Sequence, residues 1–301
     1  MRIMLRYSLL TVLFCACFSL SVIGQEAEES TESLLWEISK DGMKAPSYLF
    51  GTFHLLNNGF LETWPAVSRA FSTCDALIVE TVIDSSELGM VMNASFMEDT
   101  LLTDLFDSSQ YNLISDVFEE TTGMSLSLFN DRKPIFVGVL LTLFENQQLL
   151  SNMDPYEGVP MDVYFAEEAK AAKRPLFSLE SMKEQARLLY SQTSVSVQAT
   201  ELLALINDYD EANDLSEQLL NAYQSNDLNG LEELNEQDYD HWGNLDHLLE
   251  DRNEKWLIRI PEILEQQPTF IAVGALHLVG PTGLISGLRA AGYTVRPIPV
   301  K

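Results

Sequence analysis

Two long apolar runs, residues 75–84 (DALIVETVID) and 268–278 (PTFIAVGALHL), do most to limit the fold that this chain can adopt. Their near-continuous aliphatic character is typical of strands that are buried on both faces of a parallel sheet. Residues 34–53 hold shorter apolar runs around a D-G and A-P-S turn region, which predicts a β-hairpin. We also expect short strands at 175–180 (PLFSLE) and 293–300 (YTVRPIPV).

Helical patterns separate these strands. Apolar residues recur at three- and four-residue spacing over 64–74, 88–150, 182–266 and 283–291, and in the segment that carries Asp162. This alternation predicts an α/β fold with a central, mostly parallel sheet. We interpret 88–150 and 182–266 as a large helical cap, and 34–301 as a single domain with one GxxH motif in each half.

The first 24 residues have the pattern of a secretory signal peptide. Arg2 and Arg6 precede the apolar run 8–23, and the small residue Gly24 precedes the polar stretch QEAEES. The run is shorter than the roughly 20 residues that a spanning helix needs, so we expect cleavage after Gly24 and no stable membrane span. The prediction is an exported protein, periplasmic or extracellular, with an acidic, flexible segment at 25–33.

Cysteine usage agrees with a fold that depends on its core. Of the three cysteines, Cys15 and Cys17 leave with the signal, so Cys74 alone remains and no internal disulfide can form. Another apolar run follows Cys17 where a lipoprotein would have its mature start, which argues against acylation there. We expect Cys74 to be buried and inert.

The charge balance is strongly negative, with 45 acidic against 18 basic residues and a net charge of −27. This argues against nucleic acid and anionic membranes as partners. The negative charge has two possible explanations, which are solubility in an exported compartment and attraction of cations. The sequence holds no GxSxG elbow, P-loop, CxxC or glycine-rich nucleotide motif, which argues against serine hydrolases, NTPases and thiol-redox enzymes.

A repeated motif marks the ends of two predicted strands. GTFHLL at 51–56 and GALHLV at 274–279 place two of the four histidines, His54 and His277, in the same local frame. Gly51 and Gly274, three residues before each histidine, would let the backbone turn tightly and bring each ring toward an ion or a substrate. A single histidine at a strand end is commonly structural, and the repetition is what favours function.

Two glutamates follow predicted strands in the same way. Glu80 ends the run ALIVE and Glu180 ends PLFSLE. In open α/β sheets, ligands bind beyond the carboxyl ends of the strands, so these side chains and the two histidines are expected to converge. Imidazole and carboxylate suit a divalent ion such as Mn, Co, Zn or Fe. The alternative is that each glutamate caps a helix or forms a salt bridge.

Other polar residues carry weaker signals. Asp162 is either a partner that orients a metal-bound histidine or a surface charge on its helix. Arg252 and Asn253 either point inward, toward a substrate carboxylate or a site glutamate, or form an exposed helical pair. His241 and His247 lie in an acidic helical segment at a spacing that puts them off a common face, and we expect them at the surface.

Four segments together resemble the TraB/PrgY/GumN family, which includes the animal Tiki proteases. They are GTFH with the strand ALIVET, MDVYFAEEAKAAKRPLFSLES, DRNEKW, and FIAVGALHLVGPTGLISGLRAAGYTV, and the similarity runs over residues 34–298. The resemblance implies an α/β fold akin to the erythromycin esterase (EreA) and ChaN-like proteins, with paired GxxH motifs and glutamates lining a central cleft. His54 and His277 match the motif histidines, and Glu80 and Glu180 match the carboxylates.

The resemblance and the residues lead to two hypotheses. The first is an exported metal-dependent hydrolase of the Tiki type, a peptidase acting on a peptide or protein, in which both motif histidines and one glutamate bind the ion and the other glutamate is the general base. The second is an exported protein that binds or sequesters a peptide or another ligand in the same cleft without turnover. The sequence does not distinguish the role of Glu80 from that of Glu180.

Overall fold

A computed structural model describes residues 33–54, 56–152, 156–242 and 246–301. The predicted signal peptide and nearly all of the predicted acidic segment lie outside these residues. Ser33, the last residue of that segment, is buried, and its hydroxyl donates to the carbonyl oxygen of Ile298 at 2.6 Å. None of the described helices combines the length and apolarity that a membrane crossing requires.

The centre of the fold is a mixed sheet. Its described strands are β1 (Leu35–Ser39), β2 (Ser47–Thr52), β3 (Ala76–Val79), β4 (Leu176–Ser178), β5 (Thr269–Gly274) and β6 (Thr294–Ile298), in the order β4-β3-β5-β2-β1-β6. The neighbours β4, β3, β5 and β2 are parallel, and β1 is antiparallel to both β2 and β6. The predicted hairpin and the predicted, mostly parallel sheet are therefore confirmed.

Helices occupy most of the remaining chain. They are α1 (Pro65–Thr73), α2 (Leu88–Ala94), α3 (Leu102–Leu105), α4 (Ser108–Thr122), α5 (Pro134–Asn152), α6 (Met161–Ala171), α7 (Met182–Ser191), α8 (Val195–Asn207), α9 (Tyr209–Gln224), α10 (Leu228–Trp242), α11 (Asp246–Leu264) and α12 (Leu284–Ala290). Short 3₁₀ helices cover Asn58–Thr63, Leu126–Phe129 and Ala275–His277. The α/β class expected from the alternating pattern is confirmed.

Among the described residues, three apolar clusters hold these elements together, and the smallest contains Phe136, Ala186 and Tyr190. The other two form a larger and a smaller core. The larger core contains the sheet, where the aliphatic residues of β3 and β5 are buried, together with α1, α6, α11 and α12. The smaller core is formed by α3, α4, α5 and α8, so the two helical segments predicted as a cap pack against each other. Cys74 is buried between α1 and β3.

One strand is shorter than its apolar run. The run 75–84 predicts a buried strand with Glu80 at its far end, and β3 spans Ala76–Val79, so it ends just before Glu80. Val82 packs against the larger core, and Ile83 is 56% exposed. Apolar character thus continues past the strand for two different reasons, since Val82 packs on the core outside the sheet and Ile83 lines a cavity.

Candidate active site

The four groups predicted as ligands lie beyond the carboxyl ends of four neighbouring parallel strands. His54 follows β2, Glu80 follows β3, Glu180 lies two residues after β4, and His277 ends the 3₁₀ turn that follows β5. Backbone hydrogen bonds continue past the strands, since the Glu180 amide donates to the Glu80 carbonyl at 2.9 Å. The sheet therefore brings residues that are far apart in sequence to one edge, as its topology predicts.

Arg252 joins three of these groups. This residue, on α11, donates from Nε to Glu180 Oε1 at 2.6 Å and from Nη2 to Glu80 Oε2 at 2.5 Å. Its Nη1 lies 3.0 Å from His277 Nε2. The Arg252 side chain is only 12% exposed, so these are buried, charge-assisted hydrogen bonds. Of the two alternatives for Arg252, the structure places it inward.

Asn253 fixes the tautomer of His277. The Asn253 amide nitrogen donates to the carbonyl oxygens of His277 and Thr282, so its Oδ1 must be the atom that lies 2.8 Å from His277 Nδ1. Nδ1 of His277 therefore carries the proton, and Nε2 has a free lone pair that accepts from Arg252. The ring also packs against Trp256, with a centroid distance of 4.3 Å.

Burial and charge act differently on His277 and Glu80. Burial lowers the pKa of His277 to about 3, so this ring is neutral at pH 7. Burial favours the neutral acid at Glu80, yet positive neighbours and the Gly274 amide outweigh it and lower the pKa of Glu80 to about 2. The neighbours that lower it are His277, Arg252 and His54. At pH 7 the charge comes from Arg252 and His54, because His277 is neutral there. Glu80 is thus an anion.

Glu180 differs from Glu80 although both contact the same arginine. Burial raises the pKa of Glu180 above its ordinary value, and the Arg252 charge opposes this only in part. Its backbone is held firmly, because the Glu180 carbonyl accepts from Ser178 Oγ at 2.6 Å and from Thr81 Oγ1 at 3.0 Å. The two carboxylates therefore have unlike acidity, which is the arrangement that separates acid–base roles in many active sites.

His54 faces the open side of the site. Its side chain is 61% exposed, and Nδ1 lies 2.5 Å from Oδ2 of Asp162, in the first turn of α6. This hydrogen bond raises the pKa of His54 to about 9. The structure thus gives Asp162 the orienting position, with the proton on Nδ1 and with Nε2 left for another partner. The second oxygen, Asp162 Oδ1, is buried without a hydrogen-bond partner.

The two motif glycines are needed for space. Neither has a positive φ, so the backbone conformation at these two positions does not itself require glycine. A Cβ at Gly51 would lie 2.9 Å from the Cα of Ala275. A Cβ at Gly274 would instead lie 3.2 Å from Glu80 Oε1, 3.5 Å from His54 Nε2 and 3.6 Å from His277 Cδ2. Gly274 therefore keeps open a space that both histidines and Glu80 border.

The donor types around this space fit a divalent ion. An unprotonated imidazole nitrogen on His277, an oriented imidazole on His54 and the ionised Glu80 are suitable ligands for first-row metals. Within the described residues, no three His, Cys, Asp or Glu side chains are arranged to hold an ion by themselves. The physical reason is Arg252, because its guanidinium lies among three of the donor groups.

A cavity of about 600 Å³ opens beside His54, Glu80 and Asp162. Aliphatic side chains from the β3 loop, α2, α6 and α7 form much of its wall, among them Ile83, Leu88, Val91, Val163, Met182 and Leu189. Lys170 and Glu167 also line it. A volume of this size, with a largely apolar wall and several polar groups, is typical of small-ligand and side-chain pockets.

Two aromatic residues belong to the site although the sequence did not single them out. The Trp256 ring packs against both the His277 ring and the Arg252 guanidinium. The Tyr223 hydroxyl donates to the Gly51 carbonyl oxygen at 2.8 Å. The spacing of Arg252, Asn253 and Trp256 at i, i+1 and i+4 puts them on one helical face, and this pattern could have identified Trp256. The side chains of His241 and His247 lie outside what the structure describes.

Comparisons with known proteins identify one matching family and several distant relatives. The sequence profile of the TraB/PrgY/gumN family matches residues 34–297. The chain is 24% identical to "Metalloprotease TIKI1" of Danio rerio over 90% of this chain and 64% of the relative, and 24% identical to "Metalloprotease TIKI2" of Xenopus tropicalis over 91% and 61%. It thus spans less than two thirds of the length of these relatives. No solved structure shows a significant match.

Proposed function

The chain belongs to the TraB/PrgY/gumN family, and on that basis we propose that it is an exported, divalent-metal-dependent hydrolase that acts on peptides. The observation that carries the proposal is the space beside Gly274, which His54, Glu80 and His277 border, together with the cavity that His54 and Glu80 also line. The names of the relatives support metalloprotease chemistry. Export is supported by the pattern of residues 1–24.

The proposed ligands are the three groups that border this space. Asp162 holds a proton on Nδ1 of His54, and Asn253 does the same for His277, so each histidine directs Nε2 toward the proposed ion. At His54, which is protonated at pH 7, the ion would replace the proton on Nε2. Such outer partners fix the orientation of metal-binding imidazoles and raise their basicity. Glu80 supplies a carboxylate that is ionised at neutral pH. A bound ion would lower the pKa of its water and polarise a substrate carbonyl.

Glu180 remains for the role of general base. Its side chain is held by Arg252 next to Glu80, but its oxygens are not among the atoms that border the Gly274 space. A carboxylate in this position would accept the proton of the attacking water and pass it to the leaving amine. Arg252 would orient this carboxylate, since its Nε donates directly to Glu180 Oε1.

The cavity supports a substrate with an apolar side chain. His54, Glu80 and Asp162 line the cavity together with many aliphatic side chains. An extended peptide with its scissile bond beside these polar residues would place a neighbouring side chain against Ile83 and Leu88, which are 56% and 47% exposed. Burial of such a side chain would contribute about 1.5–3 kcal/mol to binding when complete.

Digestion of a peptide library tests the proposal. Purified protein is incubated with Mn²⁺ or Co²⁺, with and without a chelator, and fragments are identified by mass spectrometry. We expect fragments that vanish with the chelator. Peptides that are retained but not cut would instead support a binding protein. Amino-terminal sequencing of the secreted protein, expected to begin near Gln25, tests export separately.

Two substitutions test the separate roles of the glutamates. Glu80→Gln should weaken Mn²⁺ binding in calorimetry and abolish cleavage, because it removes a proposed ligand charge. Glu180→Gln should abolish cleavage while Mn²⁺ binding is kept, because it removes only the proposed base. Equal loss of Mn²⁺ binding in both variants would contradict the assignment of Glu180 as base.

A further inference from the structure

A single guanidinium holds together three of the four groups that the sequence predicts as metal ligands. Arg252 reaches Glu180, Glu80 and His277 through three different nitrogens, at 2.6, 2.5 and 3.0 Å. The side chains of Glu80 and Glu180 are only 10% and 6% exposed. Two buried carboxylates so close together need a positive partner, and Arg252 supplies it.

The chemistry of arginine explains this arrangement. A guanidinium is always charged and planar, and it has N–H donors but no acceptor. It therefore satisfies two carboxylates and an unprotonated imidazole nitrogen, the same kinds of group that bind a first-row divalent ion. The Trp256 ring lies 4.6 Å from the guanidinium carbon and further stabilises a cation at this point.

We propose that Arg252 is the resident cation of the Glu80–Glu180–His277 cluster, and that a divalent ion reaches Glu80 and His277 only by displacing the guanidinium from these two groups. The inference rests on the metal site of the proposed function and adds a constraint to it. A divalent ion beside an arginine that stays in place would meet a positive charge within a few ångströms and would lack the lone pair of His277 Nε2. Arg252 is thus a positioning residue that also limits the affinity of the site for metal.

Calorimetric titration of Mn²⁺ into wild type and two variants tests this inference. Arg252→Met removes the charge and the three hydrogen bonds. Arg259→Met is the matched control, because Arg259 lies two turns further along α11 and donates to the carbonyl oxygen of Leu179 at 2.8 Å without contacting the cluster. We expect the Mn²⁺ dissociation constant to fall at least about tenfold in Arg252→Met, because Coulomb repulsion is removed, and to stay unchanged in Arg259→Met.

The outcomes separate this inference from the proposed function. If wild type binds Mn²⁺ and folded Arg252→Met binds it no more tightly, the inference is overturned while the metal site stands. If neither protein binds Mn²⁺, both are overturned. Should Arg252→Met be too unstable to purify, Arg252→Lys replaces it, because lysine keeps the charge but cannot reach three partners at once. Tighter Mn²⁺ binding by Arg252→Lys than by wild type supports the inference, and equal or weaker binding overturns it.

Discussion

Alanine at each motif glycine should separate metal binding from folding. The Gly274→Ala methyl would lie 3.2 Å from Glu80 Oε1, 3.5 Å from His54 Nε2 and 3.6 Å from His277 Cδ2. The methyl group would thus fill the space in which the proposed ligands meet. We expect Mn²⁺ affinity to fall at least about tenfold, a loss of about 1.4 kcal/mol in binding free energy.

Folding of Gly274→Ala should change little. Its φ of −53° and ψ of 139° are accessible to alanine, and the amide that donates to Glu80 is kept. Lower entropy of the unfolded chain gains about 0.4–1 kcal/mol, which offsets the tight contact with a side-chain oxygen. The free energy of unfolding should therefore stay within about 1 kcal/mol of wild type.

Gly51→Ala is the matched comparison, and we expect it to lower the stability of the fold more than the affinity for Mn²⁺. Its methyl would lie 2.9 Å from the Cα and 3.1 Å from the Cβ of Ala275, and 3.0 Å from Leu34 Cδ2. Backbone atoms in the sheet cannot move aside easily, so overpacking should cost about 1–3 kcal/mol. In a domain of this size, that lowers the melting temperature by about 2–4 °C for each kcal/mol.

Thermal melts with a chelator and Mn²⁺ calorimetry on both variants provide the test. Wild-type Mn²⁺ affinity in Gly274→Ala would refute the view that this glycine keeps a ligand space open. A loss of stability in Gly274→Ala as large as in Gly51→Ala would also refute it, because both glycines would then serve packing alone.

Three further predictions concern separate features of the molecule. Burial raises the pKa of Cys74 to about 12, so iodoacetamide at pH 8 should leave the native thiol unlabelled, and the denatured, processed chain should label once. The Asp162 hydrogen bond raises the pKa of His54 to about 9, so its stabilisation is present in full below pH 6.5 and is lost as the pH rises through about 9. Thermal melts with a chelator over this range should therefore show a steeper decline for wild type than for Asp162→Asn, and equal slopes would contradict this. Ile83→Asp should lower kcat/KM for peptides with an apolar side chain by about fivefold, roughly 1 kcal/mol, while Ile258→Asp, at another exposed isoleucine, on α11, should not.

The sheet was predictable because burial on both faces leaves a strong mark on a sequence. The runs that became β3 and β5 are almost wholly aliphatic, and parallel pairing needs such strands. The ends of the strands were less predictable. Val82 and Ile83 continue the run after Glu80, but one packs on the larger core and the other lines the cavity. Apolar side chains that pack outside a sheet or line a cavity look the same in sequence as those within the sheet.

The positions of the predicted ligands follow from topology, but their partners do not. A histidine or glutamate after a buried parallel strand must lie at one edge of the sheet, and this rule needs only the sequence. Asp162 and Arg252 come from helices, and a helical pattern defines which face is apolar without defining how the helix is docked. The sequence therefore left an inward and an outward position open for both residues.

This difference matters for the function that the site can have. Two buried carboxylates and a neutral imidazole require a cation, and the residue types alone favour an external divalent ion. The docking of α11 brings an internal cation, Arg252, to the same place. Under the proposed function, a divalent ion would therefore compete for Glu80 and His277 with a guanidinium that is held by three hydrogen bonds and packs on an indole ring.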